Sequence, residues 1–497
     1  MKHKATRILS RIFWAIVSII ALFAFINYPG RGILYIAFTV VLNALFIFGF
    51  TRGRIYFDTF IGIFFWLGFW LKYSLRMAFL GGAFQAPELI GKFAGTGVDH
   101  DYALLVVSCG ICGLLIASLL RRKFLFSYAD IGKQTRLESI FTFYRRHRMP
   151  VLVVFFFMFA AVAVSNVALG IYQRGTLPKT LLPFGLSGVY TWLLLFGLTS
   201  VSAVILDCEF RLKQNPYFAS IIAIVETFFS NVSMLSRGMI LNGGALLLGM
   251  HDNAKKRSQN PGPRYKLAML VIFISLFVCS VFVTNHVRNR LFYSDFPSRT
   301  SISKSFLLGS VLARFSLPPP VIEAITGVET LLIDRWIGIE GVMSVVSHKE
   351  LGWDLWKDAW KEKYSHSGTS MYDLVILGAS LEGLKNHHFI SIPGIVAFFY
   401  YPGSIAFLFV SMLALGFLAA GIEIFVYKLS GANLIVCSLM GQVIAYRYAH
   451  FGYVPAQSYL LFGSLFINIL MIYFINRILC LRYGTSTALS TTCQSAD

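Results

Sequence analysis

The sequence predicts an all-α polytopic membrane protein of about twelve transmembrane helices, with one large extracytoplasmic loop between the ninth and the tenth. Three observations lead there. Hydrophobic residues make up 57% of the chain, charged residues only 13%, and 47 residues are Phe. The mean hydropathy is +0.69, more apolar surface than a soluble chain of 497 residues can hide. The charge is also divided: 43 Lys and Arg against 23 Asp and Glu give +20, yet His286 to His388 holds eleven of each sign. The whole excess therefore lies outside that segment. Cytoplasmic loops collect Lys and Arg, so a charge-balanced loop in a basic polytopic chain reads as extracytoplasmic.

The apolar runs fall near residues 12–28, 33–50, 56–76, 101–120, 150–170, 186–206, 217–234, 238–250, 267–284, 404–427, 432–448 and 458–478, with 238–250 short for a crossing. Basic residues test the order. Lys2, Lys4, Arg7 and Arg11 precede the first run, and Arg52 and Arg54 follow the second. Arg121, Arg122, Lys123, Arg145, Arg146 and Arg148 follow the fourth, Lys255, Lys256, Arg257, Arg264 and Lys266 the eighth, and Arg477 and Arg482 the last. All of these land on one side when the spans alternate, which places both termini in the cytoplasm. The chain divides accordingly into an N-terminal bundle over 1–284, a loop over 285–390 and a C-terminal bundle over 391–497.

Other classes fit less well. The first apolar run lacks a small-residue cleavage site and is followed at once by a second, so it reads as a retained helix and not a signal peptide. No basic stretch is interleaved with a stacking platform, which argues against nucleic acid. Cys109 and Cys112 have CxxC spacing but sit inside ALLVVSCGICGLLIASLL, where small helix-packing residues are expected. Neither a phosphate-cradling glycine-lysine motif nor HExxH occurs, and no metal or cofactor is expected.

Within the loop, Pro318-Pro319-Pro320 breaks the chain, and Val321, Ile325, Val328, Leu332 and Trp336 then recur at helical spacing. Trp353, Trp356 and Trp360 share a face of GWDLWKDAWKEK, which suits either a helix at headgroup level or packing on the loop's own core. The stretch 389–401 is apolar but short, a re-entrant or interfacial piece.

Charged side chains at membrane depth are costly and therefore functional candidates. Arg237 lies in the tight turn of SMLSRG, and guanidinium suits phosphate oxygens; the alternative is a snorkelling Arg. Arg335 and Glu340 lie in DRWIGIEG, as a phosphate ligand and a proton acceptor or as a local ion pair and turn. Arg447 and His450 lie in YRYAHFGYVP, as an anion site or as an aromatic-belt hairpin. Lys72 and Arg76 share a helix face and need an anion or an acid between them, Asp99 and Asp101 being the structural option. Of the isolated acids Asp58, Glu226 and Glu423, only Glu226 looks deep.

Those segments, SMLSRG at 233–238, DRWIGIEG at 334–341, FFYYPG at 398–403 and YRYAHFGYVP at 446–455, resemble the Wzy-type O-antigen polymerases of bacterial envelopes and, more distantly, the O-antigen ligases. The likeness extends over the whole chain as architecture. Eleven residues separate Arg237 from Gly249, so the Arg-to-Gly spacing seen in periplasmic loops of some members is not met. The resemblance implies a GT-C-like membrane glycosyltransferase that needs no cofactor. Its substrates would be oligosaccharides on undecaprenyl pyrophosphate, with membrane lipid, a chain-length regulator and a flippase as partners. Arg237, Arg335 and Arg447, with Arg314 in reserve and Lys72, Arg76 and His450 as secondary candidates, would hold pyrophosphate. Glu340 or His348 would take the acceptor's proton. An O-antigen ligase with the same chemistry stays open at this point. So do a lipid-linked-sugar transporter, which would carry internal repeats and charges at all depths, and an assembly subunit.

Overall fold

The computed structural model describes residues 2–51, 53–82, 90–125, 128, 137–174, 178–212, 217–236, 238–257, 262–292, 333, 335–363, 370–378 and 391–483. Among these there are helices and no strands. In chain order they are α1 (Lys2–Ile26), α2 (Gly32–Phe48), α3 (Tyr56–Phe65), α4 (Lys72–Phe79), α5 (Gly97–Phe124), α6 (Glu138–Arg146), α7 (Arg148–Leu169), α8 (Leu186–Trp192), α9 (Leu198–Arg211), α10 (Tyr217–Ser233), α11 (Met239–Lys256) and α12 (Pro263–Phe292). There follow the short α13 (Ile339–Val346), α14 (Trp353–Trp360) and α15 (Ile395–Tyr400), then α16 (Ile405–Leu429), α17 (Leu434–Ala449) and α18 (Ser458–Tyr483).

Among the described residues, six helical stretches are long and apolar enough to cross a membrane: Gly97–Phe124, Arg148–Leu169, Pro183–Arg211, Arg264–Arg288, Ile405–Leu429 and Ser458–Arg482. Shorter apolar helices at Ser10–Ile26, Gly32–Phe48, Tyr217–Ser233 and Leu434–Ala449 stand with them. The chain is a multi-pass membrane protein. The short apolar run at 238–250 belongs to a longer helix, because the polar residues up to Lys256 continue α11.

Helix pairs approach closely through small residues, as expected where lipid removes the hydrophobic drive and packing must supply contact. A methyl group on Gly113 of α5 would sit 2.5 Å from the Phe409 carbonyl of α16, and one on Gly416 would sit 2.6 Å from Ala117 Cβ. Cys109 and Cys112 lie on this same helix as free thiols.

One end of the bundle is tied by carboxylates. Arg54 reaches Asp252 at 2.8 Å, Arg121 reaches Asp58 at 2.5 Å, Arg148 reaches Glu209 at 2.6 Å and Arg257 reaches Asp207 at 2.6 Å. Glu423 of α16 accepts the backbone N–H groups of Tyr56 and Phe57 at 2.7 and 2.8 Å, and also the Tyr128 hydroxyl. It thus places an anion at the N-terminus of α3, where the helix dipole favours one. Asp58 and Glu423 are therefore joints of the bundle. Glu226, fully buried in α10, accepts from Ser230 at 2.8 Å and Thr199 at 3.4 Å.

The opposite end is closed differently. Asp101 of α5 accepts the Tyr28 hydroxyl and the Arg31 N–H, both at 2.8 Å. Asp99 caps its own helix through Thr96. The tryptophans of α14 stack on one another and on Phe407 at the start of α16, while Trp353 and Trp360 stay 50% and 40% exposed. The aromatic face packs on the bundle helix α16 rather than on the loop's own core, and two of the tryptophans keep an exposed rim. The helix predicted over 321–336 falls almost entirely outside the described residues.

Candidate functional site

Two helices of the bundle contain a π-helical turn, a feature that inserts a residue and often accompanies function. The first, Trp66–Leu71, joins α3 to α4 and presents the Gly68 backbone sideways. The stretch 335–338 packs directly on it: a methyl group on Gly68 would lie 2.4 Å from the Ile337 carbonyl, and one on Gly338 would lie 2.3 Å from the Gly68 carbonyl. On the other side, a methyl on Gly341 would collide with the Pro393 carbonyl. The DRWIGIEG segment is thus wedged between α3 and the strand-like stretch before α15, and its glycines permit the approach.

Two side chains lock the wedge. Trp336 stacks on Phe64, with ring centres 5.3 Å apart and planes at 20°. Lys72 reaches inward to the Trp336 carbonyl at 2.7 Å and to both oxygens of Glu340 at 2.9 and 3.0 Å. Lys72 therefore pairs with Glu340 and not with Asp99 or Asp101, and Glu340 pairs with Lys72 and not with its neighbour Arg335.

The wedge brings Arg335 beside Tyr446, near the end of α17. A third element converges on the same phenol. Asn166, fully buried at the end of α7, donates to the Tyr172 and Ser233 carbonyls at 3.0 and 2.9 Å and accepts from Tyr172 N–H at 2.9 Å. The Arg174 N–H donates to the Met234 carbonyl at 2.9 Å. This clamp sets Arg174 near Tyr446 and Tyr172, and Arg335 approaches Tyr446 as well, close enough for each guanidinium to interact with the phenol electrostatically. The next residue, Arg447, donates to Ser458 at 2.9 Å and lies over the Phe451 ring.

His450 completes the group. Its ring stacks on Tyr446 with centres 4.0 Å apart, and Nδ1 lies 3.1 Å from the Tyr446 carbonyl. A carbonyl can only accept, so Nδ1 carries the proton and Nε2 keeps a lone pair. Burial and the charges of Arg335, Arg174 and Lys72 push the imidazole down to about 3, although its bond to the Tyr446 backbone works the other way.

These residues flank a cavity of about 670 Å³ whose wall includes Arg174, Tyr446, Arg447 and His450. Asn231, Asn242 and Gln442 add polar groups, and the remaining wall is mostly apolar, with Trp192, Leu195, Phe196, Leu241 and Leu461. The second π-helical turn, Leu193–Gly197, supplies Leu195 and Phe196, and Asn242 donates to the Leu195 carbonyl at 2.8 Å. Arg335 stands behind Tyr446 rather than in the wall.

The electrostatics of this end differ from those of the other. Among the described residues, no carboxylate lies within ion-pairing distance of Arg174, Arg335 or Arg447. The arginines at 54, 121, 148, 211 and 257 each have one. Like charges held together in a partly desolvated pocket raise the energy of the empty site, which an anion relieves. Bidentate guanidinium binding makes phosphate oxygens the matching ligand. Among the described residues, no three His, Cys, Asp or Glu side chains gather as metal ligands would.

The remaining sequence candidates lie as follows. His348 follows α13 outside the cavity wall, with neither ring nitrogen hydrogen-bonded; burial lowers its basicity, Glu350 opposing and Lys92 assisting. Arg76 is fully buried on α4, also away from the wall. Arg237, Arg314 and the doublet His387-His388 lie outside the described residues. Sequence reasoning missed Arg174 and Tyr446. Arg174 was visible as one of two cations, with Lys179, in a predicted outer connection, and Tyr446 as the partner of His450 one helical turn away.

No family model, no curated protein and no solved structure matches this chain.

Proposed function

We propose that this protein is a membrane glycosyltransferase that polymerises oligosaccharide repeat units carried on undecaprenyl pyrophosphate. In this reading about twelve helices cross the bacterial inner membrane, the carboxylate-tied end faces the cytoplasm with both termini, and the arginine cavity faces the periplasm. The observation that carries the reading is the set of guanidinium groups without carboxylate partners among the described residues, on an apolar-walled cavity, which suits a diphosphate joined to a lipid. The resemblance of the four segments to O-antigen polymerases supplies the reaction class.

The chemistry follows from the geometry. Arg174 and Arg447 hold the diphosphate, with Arg335 adding its field through Tyr446. As the bond between the anomeric carbon and the diphosphate oxygen breaks, the leaving oxygen gains charge that the fixed guanidinium groups stabilise. The acceptor sugar's hydroxyl oxygen forms the new bond to that carbon and gives up its proton. His450 is the base we assign, because its Nε2 lone pair stands on the cavity wall, whereas Glu340 is held by Lys72 and His348 is elsewhere. The empty site depresses His450, and a bound diphosphate cancels the positive field, so the base gains strength when the donor is in place.

The test is a gel ladder of surface glycan from cells with the gene deleted and restored. Loss of long chains with a single repeat still on its anchor supports polymerisation. Loss of every repeat from the anchor, with long polymer left on the lipid carrier, means a ligase. An unchanged ladder removes both.

A further inference from the structure

Among the described residues, one stretch of the cavity wall is shared by two helices whose outer faces are apolar. It lies between α8 with its π-helical turn, which contributes Gly188, Thr191 and Trp192, and the first turns of α18, which contribute Leu460, Leu461 and Ser464. Around this cleft the surface is apolar and bare: Leu186 and Val189 on α8, and Tyr459 and Leu460 on α18, the last two 67% and 58% exposed. Just before α8, Leu181 and Phe184 are exposed as well. Lower down, the two sides are pinned together where buried Asn468 of α18 donates to Ser200 of α9 at 3.1 Å. Among the described residues, the cleft is thus joined below by this hydrogen bond and rimmed above by exposed apolar side chains.

We propose that this cleft is a lateral portal occupied by the polyisoprenyl chain of the lipid-linked diphosphate, a proposal that rests on the polymerase reading. A lipid-linked substrate must set its charged head against Arg174 and Arg447 while its tail stays in hydrocarbon. A cavity of about 670 Å³ encloses a drug-sized molecule and not a long polyisoprenyl chain as well, so the tail leaves the site. The cleft is the apolar exit that starts at the arginine wall. Several guanidinium groups fit the charge of a diphosphate better than that of a phosphodiester, which selects the carrier lipid over bulk phospholipid.

Gly188 makes the portal testable. Nothing lies within 4 Å of where its Cβ would stand, so a large side chain fits there without disturbing the helix and fills the cleft instead. The experiment compares wild type and G188W in nanodiscs, with equal melting temperatures as a control. Each receives the repeat-unit oligosaccharide on undecaprenyl pyrophosphate or on a ten-carbon prenyl pyrophosphate. We expect wild type to use both donors. G188W should lose at least tenfold on the long-chain donor and stay within about twofold on the short one, because the remote binding energy of the tail is lost while the head site is intact. Unchanged long-chain turnover in G188W, or an equal loss on both donors, would overturn the portal while leaving the polymerase reading in place. If G188W fails to accumulate, L460W narrows the cleft from the other helix and is judged by the same two donors. Inhibition of wild type by phosphatidylglycerol as strong as by undecaprenyl pyrophosphate would overturn the assignment to the carrier lipid. A wild type inactive on both donors would remove the polymerase reading and the portal with it.

Discussion

Lys72 and Glu340, 268 residues apart in sequence, form a buried pair at 2.9 Å. The pair fixes where Arg335 stands, since Lys72 also holds the Trp336 carbonyl next to it. Removing one partner leaves an uncompensated buried charge, which costs about 3–5 kcal/mol. Lys72→Met is therefore expected to lower thermal stability strongly and to abolish diphosphate binding together. Glu340→Gln keeps the shape and leaves Lys72 the amide oxygen and the Trp336 carbonyl as acceptors, so it should lower stability less and retain polymerisation within about tenfold. A Glu340→Gln enzyme that binds donor normally and has lost turnover by more than a thousandfold would reassign the base.

Gly338 offers a second handle on the same wedge. A methyl group there meets the Gly68 carbonyl, which is backbone and cannot turn aside. Gly338→Ala should cost about 1–3 kcal/mol of stability and displace Arg335, so donor affinity falls although no charge is altered. Melting temperature and donor titration on the purified protein check this, and unchanged values in both would sink the wedge as the device that sets Arg335.

The guanidinium groups are expected to act on the donor and not on the fold. A charge-assisted hydrogen bond contributes about 1.5–3 kcal/mol, so Arg174→Ala and Arg447→Ala should each weaken donor binding roughly tenfold to a hundredfold. Each should leave the protein's level in the membrane intact, and the empty variants should melt no lower than wild type because a repulsion is gone. Pyrophosphate should raise the melting temperature of wild type and lose that effect in both variants. The contrast is Arg148→Ala, which strands the Glu209 carboxylate at the other end and should fail by destabilisation.

His450 gives a pH signature with a definite sign. Its imidazole is held at about 3 in the folded protein, below the ordinary value near 6.5. The unfolded chain therefore binds the proton first as pH falls, so stability is full above about 6.5 and is lost on acidification toward 3. His450→Gln should remove part of that acid loss, at most about 1.4 kcal/mol per pH unit. His348 is shifted the same way and remains in the variant, so the difference between the two curves is the measurement. In turnover, His450→Gln should reduce kcat by about 100- to 10,000-fold while donor affinity holds. Equal loss of affinity would make it a structural residue.

The sequence carried the helices and little of the way they meet. Apolar runs marked the long helices such as α5, α7, α12, α16 and α18, because lipid forces every backbone group into helical bonds and hydropathy then reports directly on structure, whereas the short α6 and α13 were not marked. The local meaning of Asp58 or Glu423 was out of reach, since each is explained by a partner on another helix, Arg121 or the N-terminus of α3. The same holds for the site. Arg335, Arg447 and His450 drew attention as charge set in apolar surroundings. Arg174 did not, because its role depends on Asn166 folding the connection after α7 back onto α10. Lys72 and Glu340 were both noticed, but no spacing rule relates positions on different helices.

The contrast between the two ends of the bundle has a practical side. A pocket that repels itself will not stand vacant in solution: it recruits whatever small anion the surroundings offer. Orthophosphate in a buffer, or an acidic detergent headgroup, would occupy the arginines and mask the donor's affinity. Purification chemistry thus sets the resting state of this protein, and binding measured in phosphate should look weaker than binding measured in a bulky zwitterionic buffer.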